Sequence, residues 1–222
     1  MDSKVVNRYI RELIRPELKA TGFSKFTTRN SWRYRGNVVD VINFQSFNSY
    51  NADVMGVTTY SFGINLGSFH LDIPTEHGNI KSKSDLPCPE EFQCPFRGGL
   101  QRTFEQCELE RRDIWFIKPD GSNIEECILD AKDQILNRGL DWFKNLDTKE
   151  AIRDILISKP ESMDELLGFG RNPSPRRSYL LGYVELKLRN ESVARAHFEN
   201  AINSGCFSSL FNTVDEAIER AL

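Results

Sequence analysis

Asn43, Gln45 and Asn65 first suggest chemistry, because each lies in a stretch where polar and large apolar side chains alternate. Neighbouring side chains of a strand point to opposite faces, so Ile42 and Phe44 share one face while Asn43 and Gln45 share the other. Tyr60, Phe62, Ile64 and Leu66 likewise oppose Ser61, Gly63 and Asn65. One face is then core. The other carries amides, a hydroxyl and a glycine, which would let a ligand, a loop or another chain lie close to the sheet. The structural alternative is that these amides are solvated or bond to a loop crossing the sheet.

Other constellations are thinner. Nucleophilic catalysis needs a Ser or Cys beside a base, and none of the histidines (His70, His77, His197) lies in an elbow or triad string. Glu105, Glu108, Glu110 and Asp113 form an acidic cluster suited in principle to a divalent ion or acid/base work. Strand alternation places Glu108 and Glu110 on one face, which reads as a solvated edge. Gly98-Gly99 and Gly168-Phe169-Gly170 lack the lysine and the strand-to-helix context of a phosphate loop. Cys88, Cys94 and Cys107, with His70 and His77 upstream, raise a zinc site, but no pair has zinc-finger or zinc-ribbon spacing. No metal and no cofactor are expected. Lys25, Arg29, Arg33 and Arg35 interleave with Phe26, Trp32 and Tyr34 in the manner of a surface for single-stranded nucleic acid. In a strand, however, Trp32 and Tyr34 take one face and Arg33 and Arg35 the other, as in a half-buried edge strand, so nucleic acid is not an expected partner.

The elements that must position these residues follow from periodicity. Ser3 caps a first helix through Val6, Ile10, Leu13 and Leu18, kinked by Pro16 and stopped at Gly22. Strands are predicted over Ser31 to Arg35, Val38 to Phe47 and Thr58 to Phe69, the first two joined by the turn Gly36-Asn37. Leu71 to Phe96 reads as a long excursion, a kind of segment that often carries function. Further strands are predicted at Thr103 to Leu109 and Asp113 to Ile117. Ser122 to Glu125 reads as a capping box opening a helix through Ile124, Ile128, Ala131 and Ile135 that Gly139 ends.

From about Asp147 the pattern is helical. Ala151, Ile152, Ile155 and Leu156 form one helix, Ser162 to Glu165 caps a brief second, and Gly168 to Pro173 is a linker. Ser174-Pro175 then opens another helix. Leu181-Gly182, Ala194, Phe198 and Ala201 resemble one tetratricopeptide repeat with Asn190 between its helices, although Glu185 and Cys206 replace the usual tyrosine and proline. A single repeat cannot stand alone, so the pair must dock on a neighbour, with Val214, Ala217, Ile218 and Leu222 as a closing helix.

Length and composition bound the rest. The 222 residues, with 39% hydrophobic, 27% charged and a net charge of -3, fit one large or two small globular domains and lack the basic field of a duplex-binding protein. No apolar run approaches the roughly 18 residues of a membrane span, and Met1-Asp2-Ser3-Lys4 leads into a charged helix rather than a signal peptide. Five cysteines (Cys88, Cys94, Cys107, Cys127, Cys206) without an export signal point to reduced thiols and a cytoplasmic setting.

Pro16-Glu17-Leu18, Gly22-Phe23, Trp32, the run Val41 to Gln45 and the run Phe62 to Gly67 resemble the bacterial family catalogued as domain of unknown function 4304. The resemblance implies a bacterial or phage origin and no established activity. It continues through a cysteine, an arginine and a glycine before a strand, then a tryptophan, which here are Cys94, Arg97, Gly98 or Gly99, and Trp115.

The expected architecture is therefore α+β: residues 1–146 an antiparallel β-meander with flanking helices, residues 147–222 an all-helical subdomain with one tetratricopeptide-like hairpin. The expected function is non-catalytic recognition of another protein, such as an immunity or accessory protein masking a partner through the polar sheet face, the long excursion and acidic side chains, which would favour a basic partner. A small-ligand or nucleotide-processing enzyme with a site between sheet and helices is the alternative. Asn43, Gln45, Asn65, Arg97 and Trp115 are the candidate binding residues, and no catalytic residue is expected.

Overall fold

Two nine-residue strands rich in β-branched and aromatic side chains pair along their whole length at the centre of the molecule. The computed structural model describes residues 3–83, 85–158, 166–167 and 173–221. Strands β1 (Phe23–Phe26), β2 (Asn30–Arg35), β3 (Val38–Ser46) and β4 (Phe62–His70) form an antiparallel meander. The small hairpin of β5 (Ser82–Lys83) and β6 (Leu86–Pro87) stands apart from it, β7 (Phe96–Gly99) pairs with β4, and β8 (Leu166–Leu167) pairs with β7. Helices α1 (Ser3–Tyr9) and α2 (Arg15–Ala20) precede the sheet, and α3 (Ser49–Met55) joins β3 to β4. After β7 come α4 (Ile124–Gln134), α5 (Leu140–Lys144), α6 (Lys149–Ile157), α7 (Pro175–Lys187), α8 (Glu191–Asn203) and α9 (Val214–Glu219). The fold is α+β: helices flank an antiparallel sheet, and a helical region follows.

The register sends Ile42, Phe44, Phe62, Ile64 and Leu66 to one face, where they pack against Val6, Ile10, Ile14, Leu18, Ile128, Ala131 and Ile135 from the flanking helices. The kink expected at Pro16 and the stop expected at Gly139 both take the form of a π turn. Pro16 does not end the first helix, because Ile10–Ile14 widens into a π turn in which the Arg15 N–H reaches Ile10, and proline falls in the first turn of α2, where its missing donor costs nothing. Gly139 likewise lies inside a π turn, Ile135–Gly139, with helical φ. A Cβ there would stand 3.6 Å from Leu100 and 3.8 Å from Leu66, ordinary van der Waals distances, so the packing on the sheet does not itself demand glycine. Asn123 starts α4 without capping it, since its amide turns back to the Lys118 N–H and the Phe116 carbonyl.

Toward its far end the helix-covered face becomes ionic. Arg33 and Arg35, expected at a solvated edge, converge on Asp40, whose side chain is fully buried; three hydrogen bonds span 2.7–2.8 Å. Alternation separated them correctly from Trp32 and Tyr34, but β1 takes the edge position, and Phe23 and Phe143 stack their rings on the Arg33 guanidinium. His70 is buried beside this cluster, 3.0 Å from Lys149 Nζ and 3.2 Å from Ser68 Oγ, and Lys149 pairs with Asp72. An ammonium only donates, so Nδ1 of His70 accepts and Nε2 carries the proton toward Ser68.

The C-terminal helices close this end. Helix α6 buries Ile152 and Leu156, and Ser174 caps α7 above Pro175. The capping box at 162–165, residues 168–172 of the linker and Leu222 lie outside the described residues. Helices α7 and α8 cross closely enough that a Cβ on Gly182 would meet the Phe198 ring at 2.3 Å. Tyr179, Tyr183, Phe198, Phe207 and Phe211 then join Ile73, Phe96 and Leu146 in a second core. Polar contacts finish the docking: Tyr179 donates to the Pro74 carbonyl, Arg220 to that of Thr75, and Arg176 pairs with Glu76.

Burial, reinforced by Lys149 and Arg35, holds the His70 pKa well below its ordinary value, so the native state keeps this ring neutral. The unfolded chain takes up a proton as pH falls below about 6.5, so stability declines there by at most about 1.4 kcal/mol per pH unit from this group. Melting curves between pH 7.5 and 5.5 are expected to show this decline in the wild type and a shallower one in His70→Gln; equal slopes would contradict it.

Candidate functional site

The face opposite the helices is divided in two. Over one half the excursion folds back, burying Trp32, Val39, Val41 and Phe69 beneath Cys94. Gly67 permits this approach, because a Cβ there would meet Cys94 Sγ at 2.7 Å. Burial pushes the Cys94 thiol well above its usual pKa, and it behaves as a small apolar group. Polar groups of this half all turn to the excursion. Trp32 Nε1 donates to Pro89 O at 2.8 Å, Tyr34 to Pro87 O at 3.0 Å and Asn30 to Glu90 at 2.6 Å.

That division sorts the candidate residues. Asn43 donates to Asn30 at 2.6 Å and so joins the relay to Glu90, the looped-over alternative for an amide on this face. Arg97 shares the face but is held by the largely buried Glu91 at 2.6 Å. Trp115 is on the other side of the sheet: fully buried, it stacks on Phe62 at 5.7 Å and donates to Asp130. Gln45 and Asn65 are left at the uncovered end, where Asn65 donates to Gln45 at 2.8 Å.

These two amides line a cleft of about 730 Å³. Gly63 and Gly99 line it where the sheet ends, Phe47 and Met55 come from the start and end of the α3 region, and Gln134 and Arg138 come from the helical side. The remaining wall is the segment from Gln101 to Ile114, which is irregular where two strands were expected. Side chains bond its backbone in place of a ladder. Arg102, 2% exposed, donates to the carbonyls of Phe104, Leu109 and Arg111. Gln106 accepts from the Phe116 N–H at 3.0 Å and donates to the Phe116 carbonyl at 2.8 Å, imitating a strand partner. The one bridge to the sheet from this region is Phe62 with Trp115.

Three of the four acidic residues of the cluster are paired locally. Glu105 pairs with Arg112, Glu108 with Lys118 and Asp113 with Arg111, so no carboxylate of these three is left facing outward unpaired. The Arg111 hydrogen bonds hold the Asp113 pKa below the ordinary carboxylate range, so it stays ionised through neutrality. Among the described residues no three His, Cys, Asp or Glu side chains gather in a way that could hold a metal, and no helix is long and apolar enough to cross a membrane. The arginines of the cleft are not among the candidates read from the sequence, which leaves Arg111 and Arg112 between two expected strands. Their one visible signal was density: Arg102, Arg111 and Arg112 fall within a segment lacking clear apolar periodicity.

A family model described as Domain of unknown function (DUF4304) matches residues 14–145, and the chain belongs to that family. The match takes in β1 to β7, the excursion, the cleft, α4 and α5, and ends just before α6, leaving β8 outside it. Comparison with curated proteins and with solved structures returned no match.

Gln106→Leu is expected to leave the Phe116 N–H buried without an acceptor, at a cost of about 1–3 kcal/mol. Denaturant melts should show that loss, and amide exchange should rise across 101–114. Unchanged exchange there would show that Gln106 does not hold the cleft wall.

Proposed function

We propose that this member of the family is a non-catalytic recognition module that masks a partner protein, receiving part of it in the cleft at the uncovered end of the sheet. The cleft's chemistry carries this reading. Its polar groups are arginines, amides, a threonine and one carboxylate held ionised, all able to hydrogen-bond, and neither histidine nor cysteine is among its lining side chains. The floor can receive an occupant at Gly99, whose backbone is exposed, while Gly63 is covered by the Asp113 carbonyl and the Asn65–Gln45 bond fixes the amides between them. The helices beyond residue 146 are read as a tetratricopeptide-like buttress, supported by the Gly182–Phe198 crossing. Five free thiols favour a reducing, cytoplasmic setting.

A small-molecule occupant is the second reading, favoured by a volume within the range typical of ligand pockets. Arg97 does not support the nucleotide-processing version of it, because its guanidinium is engaged by Glu91 outside the cleft lining.

The test is affinity capture from a cell lysate at low and high salt, comparing wild type with Asn65→Trp, which fills the cleft from a half-buried position. A stoichiometric protein released by salt and lost roughly tenfold or more in the variant, with a melting temperature within about 3 °C of wild type, is the expected result. A partner retained undiminished by Asn65→Trp would contradict the assignment. A metabolite retained without protein would move it to the second reading.

A further inference from the structure

The charges around the cleft do not balance. Arg102, Arg111, Arg112 and Arg138 line it against a single carboxylate, Asp113. Arg111 is matched by Asp113 through two hydrogen bonds of 3.0 and 2.5 Å, and Arg112 by Glu105. Arg102 and Arg138 have no carboxylate within ion-pair distance among the described residues. For Arg138, exposed on the π turn, water suffices. Arg102 is different, because it is 98% removed from solvent by its 2% exposure and a guanidinium cannot shed its proton to escape the cost of burial. Three backbone carbonyls take protons from its Nη atoms, yet its buried Nε–H has no partner. The charge of Arg102 is met by carbonyl dipoles rather than a carboxylate, and the single carboxylate lining the cleft, Asp113, is taken by Arg111.

We infer that the cleft is an anion site in which a carboxylate or phosphate group of the occupant supplies the counter-charge to Arg102 and Arg138. Gln134 and Asn65 add neutral hydrogen-bonding groups to the lining and Gly99 lets the group approach the backbone, while Thr103 is turned to the Asp130 carboxylate. The inference deepens the recognition reading and rests on it for the claim that the cleft has an occupant. It also reverses the sign suggested by the net charge of -3: the partner's contacting group is acidic, not basic. Acidic side chains of a partner protein and a free small anion share this chemistry.

Calorimetric titration distinguishes the sources. Inorganic phosphate, a hexaglutamate peptide and a hexalysine peptide are titrated into wild type, Arg138→Glu and Arg11→Glu, the last an exposed arginine of the first helical segment outside the cleft. The expected result is that phosphate or hexaglutamate binds, weakens with salt and loses about tenfold or more in Arg138→Glu but not in Arg11→Glu. Tighter hexaglutamate binding identifies acidic side chains, and phosphate alone identifies a small anion; both support the site. Binding of neither, binding untouched by Arg138→Glu, or equal binding of hexalysine would overturn it. Arg102→Met removes the buried cation, and if that variant fails to fold, Arg138→Glu decides. A partner insensitive to Asn65→Trp would sink the recognition reading while leaving anion binding by the cleft intact, so the two failures are separable.

Discussion

The pairing of β3 with β4 is the constraint on which the rest depends. Their register runs from Val38 opposite His70 to Ser46 opposite Phe62, and cross-strand partners share a face. A slip of one residue would turn one strand over against the other, sending Ile42 and Phe44, or Ile64 and Leu66, to the excursion side and placing that strand's amides under the helices. The cost of that exchange is a buried core exposed and several amides buried without partners, so the register is strongly specified. The cleft inherits its position from this ladder, because Gly63 and Asn65 lie on one strand of it and Gln45 on the other.

Each face is then finished by chain from elsewhere. On the helix side the apolar half receives α1, α2 and α4, while the ionic half, centred on Asp40, receives Phe143 and Lys149 from the region leading to the C-terminal helices. Removing the Asp40 carboxylate would leave two largely buried guanidinium groups without their shared partner, the situation in which buried ion pairs become expensive. On the other side the excursion covers one half, and the wall built on Arg102 and Gln106 bounds what is left open. The cleft is thus a place where two long irregular segments stop short of one another.

Much of the sheet was legible in the sequence, since period-two alternation is a local property and shows at Ile42, Asn43, Phe44 and Gln45 without knowledge of the neighbours. The stripe of α4 and the Ser174-Pro175 start of α7 were legible for the same reason. Alternation does not say what will cover a face, and so Arg33 and Arg35 read as solvent-facing until Asp40 and Phe143 are brought to them. Strands β1 and β7, four residues each, are too short for periodicity to show. The segment 101–117 misled because its polar side chains, which look like the outward residues of a strand, bond backbone instead. The same long-range folding links Asn43 through Asn30 to Glu90, buries Trp115 in the core and brings Arg102 and Arg138 to one cleft, and none of these placements follows from spacing along the chain.

The central claim is that the uncovered end of the sheet and its cleft are the working surface. Hydrogen–deuterium exchange of the protein with and without the captured partner tests it most directly, because every wall of the cleft is a separate stretch of backbone. The account predicts added protection at 63–65, 99–114 and 134–138, with little change elsewhere. Protection confined to α7, α8 and α9, or to the β5–β6 hairpin, would contradict it.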